Sequence, residues 1–289
     1  MHFCFIIEEK YLNQPMPMVL ADQLKQWGHD VDILEPQATV TYLSDLHRQR
    51  YDAYVLKTCT DGPGLSILEA AEAVGIPTIN RSRSIRLVRD KAVAAAFGHV
   101  HGLPIPRTYF VANLKLLAQI PSTEYPLVVK PSNGSYCRDI YLLHSPADLA
   151  TIPISETATS FFLAQHYVEN TGFDIKLYVI GQEVHAVVKK SPLHPAIKEG
   201  LIPITPQLKK LAQSVGKLFK LDIYGLDVVE TPHGLVLLDI NDFPSFGLIP
   251  RAVATVSEYI LHAAKRAEMA RINKTARQQH RIPAKELKA

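Results

Sequence analysis

Apolar residues gather in short runs near the start of the chain, at positions 3–7, 31–34 and 53–57, separated by segments with a helical pattern. Short runs of this length predict buried strands, and apolar positions three and four apart predict amphipathic helices. "PMPMVLADQLKQWG" is such a helix, with Gly28 where it should stop, and "GLSILEAAEAVG" followed by "IPTIN" repeats the order helix, glycine, strand. This alternation predicts a small, mostly parallel α/β unit.

From about residue 90 the pattern changes. A helix, "RDKAVAAAFGHVHG", precedes "LPIPRTYFV" and the hairpin-like pieces "YPLVVKP" and "DIYLLHS", with Pro104, Pro106, Pro121, Pro126 and Pro131 at their edges. "FFLAQHYVE" leads into "FDIKLYVIGQEVHAVVKKS", where Gly181 and Gln182 predict a tight hairpin. "TPQLKKLAQSVGKLFK" places Leu208, Leu211, Val215 and Leu218 on one helical face, and "IYGLDVVETPHGLVLLDIND" reads as strand, turn and strand.

Composition bounds what this pattern can do. The chain has 289 residues, 47% of them hydrophobic and 20% charged, which excludes wholesale disorder. No apolar run approaches the ~20 residues of a membrane span, and "MHFCFIIEEK" lacks the basic lead of a secretory signal, so a soluble protein is expected. Cys4, Cys59 and Cys137 form neither a disulfide framework nor a zinc site, which points to the cytoplasm. The net charge of +3 hides a basic tail running from Lys265 to Lys288 against only Glu268 and Glu286. With no interleaved aromatic platform, this tail reads as a solvated helix end before it reads as a nucleic-acid contact.

"LLDINDFPSF" places Asp239, Asn241 and Asp242 at the end of a strand-like run. Alternation puts Leu237, Asp239 and Asn241 on one face, with Asp239 and Asn241 about 7 Å apart at Cα. A three-residue "PHG" turn, with Thr231 opposite Leu235, sets Asp227 opposite Asp239. Converging hard oxygen ligands suit magnesium bound together with phosphates. The alternatives are a solvated sheet edge carrying unrelated acids, or a two-residue turn that turns Asp227 to the other face. "VVKPSNGSYCRDI" joins Lys130 to a loop of Ser132, Asn133, Gly134 and Ser135, which is either a phosphate cradle or only a hairpin turn.

In order, "RDK", "PLVVKP" with its small-residue loop, "LAQHYVE", "GFDIKLYVIGQEV", "IYGLDVV" and "LLDINDFP" resemble the ATP-grasp superfamily, in particular RimK-type ligases and the related inositol-phosphate kinases. The resemblance implies an α/β (α+β) ATP-grasp fold with an N-terminal parallel α/β domain. Its expected parts are a substrate-side unit at 1–88, a central subdomain at 89–168, a C-terminal subdomain with the metal site at 169–264, and the basic tail at 265–289. It further implies that Lys91 and Lys130 touch nucleotide phosphates, that Gln165, His166, Tyr167 and Val168 form the adenine hinge, and that Asp174 holds the ribose. Lys176 then faces the reacting centre, and Asp227, Asp239 and Asn241 hold magnesium (or manganese).

Two features depart from the RimK pattern. Cys137, Arg138 and Asp139 occupy the second half of a phosphate loop that usually carries more glycine, and "KKSPLHP" replaces an Arg-Ser-Asn element. The implied chemistry is phosphoryl transfer from ATP. A carboxylate acceptor makes the protein a ligase, a hydroxyl acceptor makes it a kinase, and a module that binds ATP without turnover is the third reading. Lys190 and Arg251 join Lys176 as candidate catalytic cations. Lys57, Arg81, Arg83, Arg86, Arg89, Lys189 and His194 complete a basic set, no more than half of which is expected to reach the cleft, and which suits an anionic small-molecule or peptide acceptor.

Overall fold

A computed structural model describes residues 1–48, 51–58, 62–132, 140–152, 161–191 and 193–279, with side chains described up to 273. The first unit contains strands β1 (His2–Ile7), β2 (Asp30–Leu34), β3 (Ala53–Lys57) and β4 (Thr78–Ile79). Its helices are α1 (Glu9–Leu12), α2 (Pro15–Gln26), α3 (Gly64–Ala73) and α4 (Ser82–Arg89). The strands form a parallel sheet in the order β2-β1-β3-β4. Both faces are covered, which is why β1 is apolar without alternation. Phe3, Phe5 and Ile7 pack toward Leu20 and Leu24 of α2, whereas Cys4 and Ile6 pack toward Leu65 and Leu68 of α3.

Asp90 caps the next helix, α5 (Lys91–Val100), by accepting from the backbone N–H groups of Ala92 and Val93. Strands β5 (Thr108–Val111), β6 (Leu127–Pro131), β7 (Tyr141–Leu143) and β8 (Phe162–His166) form an antiparallel sheet ordered β5-β8-β6-β7. Leu127, Val129 and Ala164 pack against Leu114 and Leu117 on one face, so alternation turns Val128, Lys130 and Gln165 to the other.

The third sheet is antiparallel, ordered β11-β10-β9-β12-β13. It contains β9 (Asp174–Ile180), β10 (Glu183–Lys189), β11 (Gly200–Ile202), β12 (Ile223–Thr231) and β13 (Gly234–Asn241). The predicted tight turn joins β9 to β10, with Gly181 at φ 59°. Helix α6 (Pro206–Phe219), capped by Thr205, lays Leu208, Leu211 and Val215 on Ile175, Leu177, Leu226 and Val228. Those strand residues alternate with Asp174, Lys176 and Asp227, which therefore face the opposite side.

The last helix, α7 (Ala252–Gln279), returns to the N-terminal unit, where Val256 and Ile260 join the core of β1 and α2. Lys265 to Arg271 thus continue a helix with an exposed surface, and positions 280–289 lie outside the described residues. The expected α/β fold class holds: a parallel N-terminal sheet is followed by two antiparallel ones. Among the described residues no helix is long and apolar enough to cross a membrane.

Candidate functional site

A cleft of about 430 Å³ separates the two antiparallel sheets and reaches the C-terminal end of β3. It collects Lys91, Lys130, Gln165, His166, Tyr167, Val168, Asp174, Lys176, Lys190, Asp227, Asp239 and Asn241 from the sequence-derived set. Of the wider basic set, Lys57, Arg89, Lys189 and His194 also line it, which with Lys190 is more than the expected half. Arg86 instead pairs with Glu69 outside the cleft.

Asp227 does stand opposite Asp239, but the register that puts it there differs from the one expected. The turn is two residues, Pro232 and His233, with Thr231 opposite Gly234 rather than Leu235. A β-bulge then inserts Leu238 between the Val228–Leu237 and Asp227–Asp239 rungs. Without it, the short turn would pair Asp227 with Leu238. Because the bulge resets the alternation, Leu237 faces the α6 core and not the face of Asp239. It also leaves the Leu238 carbonyl outside the ladder, where it accepts from Lys130 Nζ at 2.9 Å.

Two like charges on one rung repel unless cations intervene. Lys176 Nζ lies 2.8 Å from Asp227 Oδ2, and Lys91 Nζ lies 2.6 Å from Asp239 Oδ2. Burial acts to raise the Asp239 pKa, yet Lys91 and Lys130 outweigh it and hold the carboxyl below its ordinary value. Asn241 donates Nδ2 to Asp227 Oδ2 at 3.1 Å. Among the described residues no group of three His, Cys, Asp or Glu side chains forms a ready metal cage. Two carboxylates and one amide, open toward the cleft, fit an ion such as magnesium, which keeps waters and binds through few protein ligands plus phosphate.

Gln165 donates to Thr108 Oγ1 at 2.9 Å, and His166 Nε2 sits 2.6 Å from Glu124. Asp174 meets His194 Nδ1 at 2.9 Å, so this histidine lies against the predicted ribose residue. Ser132 is buried with its N–H on the Phe161 carbonyl and does not line the cleft. Asn133, Gly134, Ser135, Cys59 and Cys137 lie outside the described residues. Arg251 is exposed, at φ 57°, just before α7, and the fold does not bring it among the cleft-lining residues. Cys4 is a buried strand residue whose thiol is pushed up to about 12 by burial first, as suits packing and not nucleophilic chemistry.

Two cations of the basic set, Arg89 and Lys57, make contacts that only the fold brings together. Asp242 receives Arg89 through Nε at 3.1 Å and Nη2 at 3.0 Å. Lys57, ending β3, donates to the Phe243 carbonyl and lies between the rings of Tyr11 and Phe243, 5.1 and 5.6 Å from their centroids. Burial first, then Arg89 and Lys176, pull its pKa to about 8 against the attraction of Asp242. In the sequence Lys57 carries only its charge and its position at the carboxyl end of a parallel strand.

A family model for the RimK-like ATP-grasp domain matches residues 88–259. A protein named "Probable alpha-L-glutamate ligase" from Haemophilus influenzae (strain PittEE) is 25% identical over 276 residues, spanning 83% of this chain and 93% of that one. Among solved structures, the RimK domain ATP-grasp protein of Sphaerobacter thermophilus DSM 20745 aligns with a TM-score of 0.71 at 17% identity, over 90% of this chain and 99% of that one. The ATP-grasp ligase PsnB, complexed with minimal precursor, Mg and ADP, aligns with a TM-score of 0.68 at 16% identity, over 91% of this chain and 98% of that one. At these identities the structural likeness speaks for the fold.

Proposed function

Because the chain belongs to the RimK-like ATP-grasp domain family, we propose that it is an ATP- and magnesium-dependent ligase that activates a carboxylate as an acylphosphate for attack by an amine. The observation that carries this reading is the Asp227–Asp239 rung, which meets Lys176 of the neighbouring strand β9 and Lys91, in a cleft that Lys130 and Gln165 to Val168 also line. The names of the similar proteins support it: one is a probable glutamate ligase, and another binds Mg and ADP beside its precursor.

In this reading Gln165 to Val168 seat the adenine and Asp174 the ribose, while Lys91 and Lys130 hold the phosphates. The central subdomain (89–168) and the C-terminal subdomain (169–264) then close on the nucleotide, and residues 1–88 present the acceptor. Asp227, Asp239 and Asn241 would hold magnesium, which would supply charge neutralisation at the triphosphate. An acceptor carboxylate oxygen attacks the γ-phosphorus, its bond to the bridging oxygen breaks, and ADP leaves. An amine then attacks the acyl carbon, loses a proton, and inorganic phosphate departs. Lys176, 2.8 Å from Asp227, would steady the oxygens on which charge accumulates.

Incubation with ATP, magnesium, L-glutamate and hydroxylamine tests the proposal. The expected result is a hydroxamate formed together with ADP. The density of cations at Lys57, Arg89, Lys189 and Lys190 favours a kinase as the second reading. A phosphorylated polyol without hydroxamate would select that reading, and ATP binding without ADP release would select a non-catalytic module.

A further inference from the structure

Several cations of the cleft face a carboxylate of the protein. Lys91 is set against Asp239 and Lys176 against Asp227. Arg89 spends Nε and Nη2 on Asp242, and Nη1 and Nη2 on Thr58. Lys57 differs from these: among the described residues it pairs with no carboxylate. Its ammonium is enclosed by the faces of Tyr11 and Phe243, and one of its three N–H donors goes to the Phe243 carbonyl. Aromatic faces and a carbonyl replace only part of the water that burial strips from an ammonium, so the arrangement is costly until an anion arrives.

The position of Lys57 says which anion. It ends β3, at the carboxyl end of a parallel sheet, where α/β units receive ligands. Phe243 follows the last residue of the magnesium set, Asn241, by two positions, so the niche adjoins the reacting centre without belonging to the nucleotide-holding set. Arg89 and Lys176, near enough to pull the Lys57 pKa down, are each committed to a carboxylate, so Lys57 is the compact charge left for an anion in this half-apolar niche. That environment suits one carboxylate better than a polyphosphate, which needs several converging cations.

We propose that Lys57, walled by Tyr11 and Phe243, holds a non-reacting carboxylate of an amino-acid acceptor, so that the cleft selects acceptors carrying a second anionic group. The assignment rests on the ligase reading of the same cleft. It makes Lys57 a residue that determines acceptor specificity, with no part in holding ATP.

Calorimetric titration of the full chain, with magnesium and a non-hydrolysable ATP analogue present, separates the two claims. The probes are L-glutamate, its α-carboxamide isoglutamine and its γ-carboxamide L-glutamine. Glutamate is expected to bind, with one of the amides roughly ten- to hundredfold weaker, the range for a lost charge-assisted hydrogen bond. Lys57→Gln should weaken glutamate by a similar factor, leave the weaker amide unchanged, and leave affinity for the ATP analogue at the wild-type level, which also certifies the fold. The assignment is overturned if Lys57→Gln binds glutamate as tightly as wild type, if it loses glutamate and both amides equally, or if wild type binds none of the three. Because binding is read without turnover, carboxylate discrimination without hydroxamate formation sinks the ligase reading and keeps the niche. Hydroxamate formation with an unchanged acceptor KM in Lys57→Gln does the reverse.

Discussion

Lys130 donates to the carbonyl of Leu238 at 2.9 Å, so a cation on β6 is tied to the bulge residue of the last hairpin. The bulge frees that carbonyl from the ladder and, in the same step, keeps Asp239 on the cleft face. One backbone irregularity therefore aims both the lysine and the carboxylate. Lys130→Met should raise the KM for ATP by about ten- to hundredfold, as expected for loss of a charged phosphate contact, and also release Asp239 from part of its stabilisation. ADP release at varied ATP checks it; an unchanged KM would remove Lys130 from the phosphate site.

Arg89 and Asp242 form a second tie, joining α4 to the segment after β13, with side chains only 8% and 15% exposed. Arg89→Met strands the Asp242 carboxylate in a buried position and should cost about 3–5 kcal/mol. Arg89→Lys should recover little, because an ammonium cannot reproduce the two-point contact. Replacing both partners by apolar residues should restore most of the loss. Urea unfolding of the three variants measures it; equal stability of the first variant and wild type would show the pair to be idle.

The sheet and helix order was legible because both signals were strong: unbroken apolar runs in β1 and β3, and a clean helical face at Leu208, Leu211 and Val215. The rung between Asp227 and Asp239 was anticipated through a wrong turn length, since a bulge at Leu238 leaves no mark in a pattern of period two. Lys57 and Arg89 needed tertiary placement: their partners, Phe243 and Asp242, lie more than 150 positions away in the chain. Arg251 was counted for its charge alone, and charge does not say which way a helix entry turns.

Burial of Lys57 makes stability depend on pH with a definite sign. Its pKa falls from 10.5 to about 8 in the folded state. Between those values the unfolded chain holds a proton that the folded one lacks, so wild-type stability rises with pH across this window. Below pH 8 both states are protonated and the penalty is complete. Lys57→Met should therefore stabilise the fold near pH 7 by up to about 3 kcal/mol, with the gain fading toward pH 10.5. Thermal unfolding at pH 7 and pH 10 tests this; a gain that grew with pH would contradict it.

Gly225 lies on the cleft face of β12, opposite Asn241, and a Cβ there would meet Lys176 Cε at 3.0 Å and Pro244 Cγ at 3.2 Å. The lysine is the more yielding neighbour, so Gly225→Ala should displace it from Asp227. We expect kcat to fall about tenfold or more with the unfolding midpoint little changed, since misplacing a positioned group by a fraction of an ångström to an ångström is costly to rate. A large stability loss with normal turnover would mean that Pro244 moves instead.

Asp227 and Asp239 occupy one rung, each already faced by a lysine, and this arrangement separates a metal role from a purely structural one. If the rung only anchored Lys91 and Lys176, Asp239→Asn would loosen the cleft, and added magnesium would make no difference to the defect. If it binds the ion, Asp239→Asn should lower turnover by at least about a hundredfold and shift half-saturation to higher magnesium, with the fold intact. Chelation by EDTA should abolish wild-type ADP release, and magnesium should restore it. Titrating magnesium against ADP release in wild type and Asp239→Asn distinguishes the cases, because a structural carboxylate lowers the plateau without moving the midpoint.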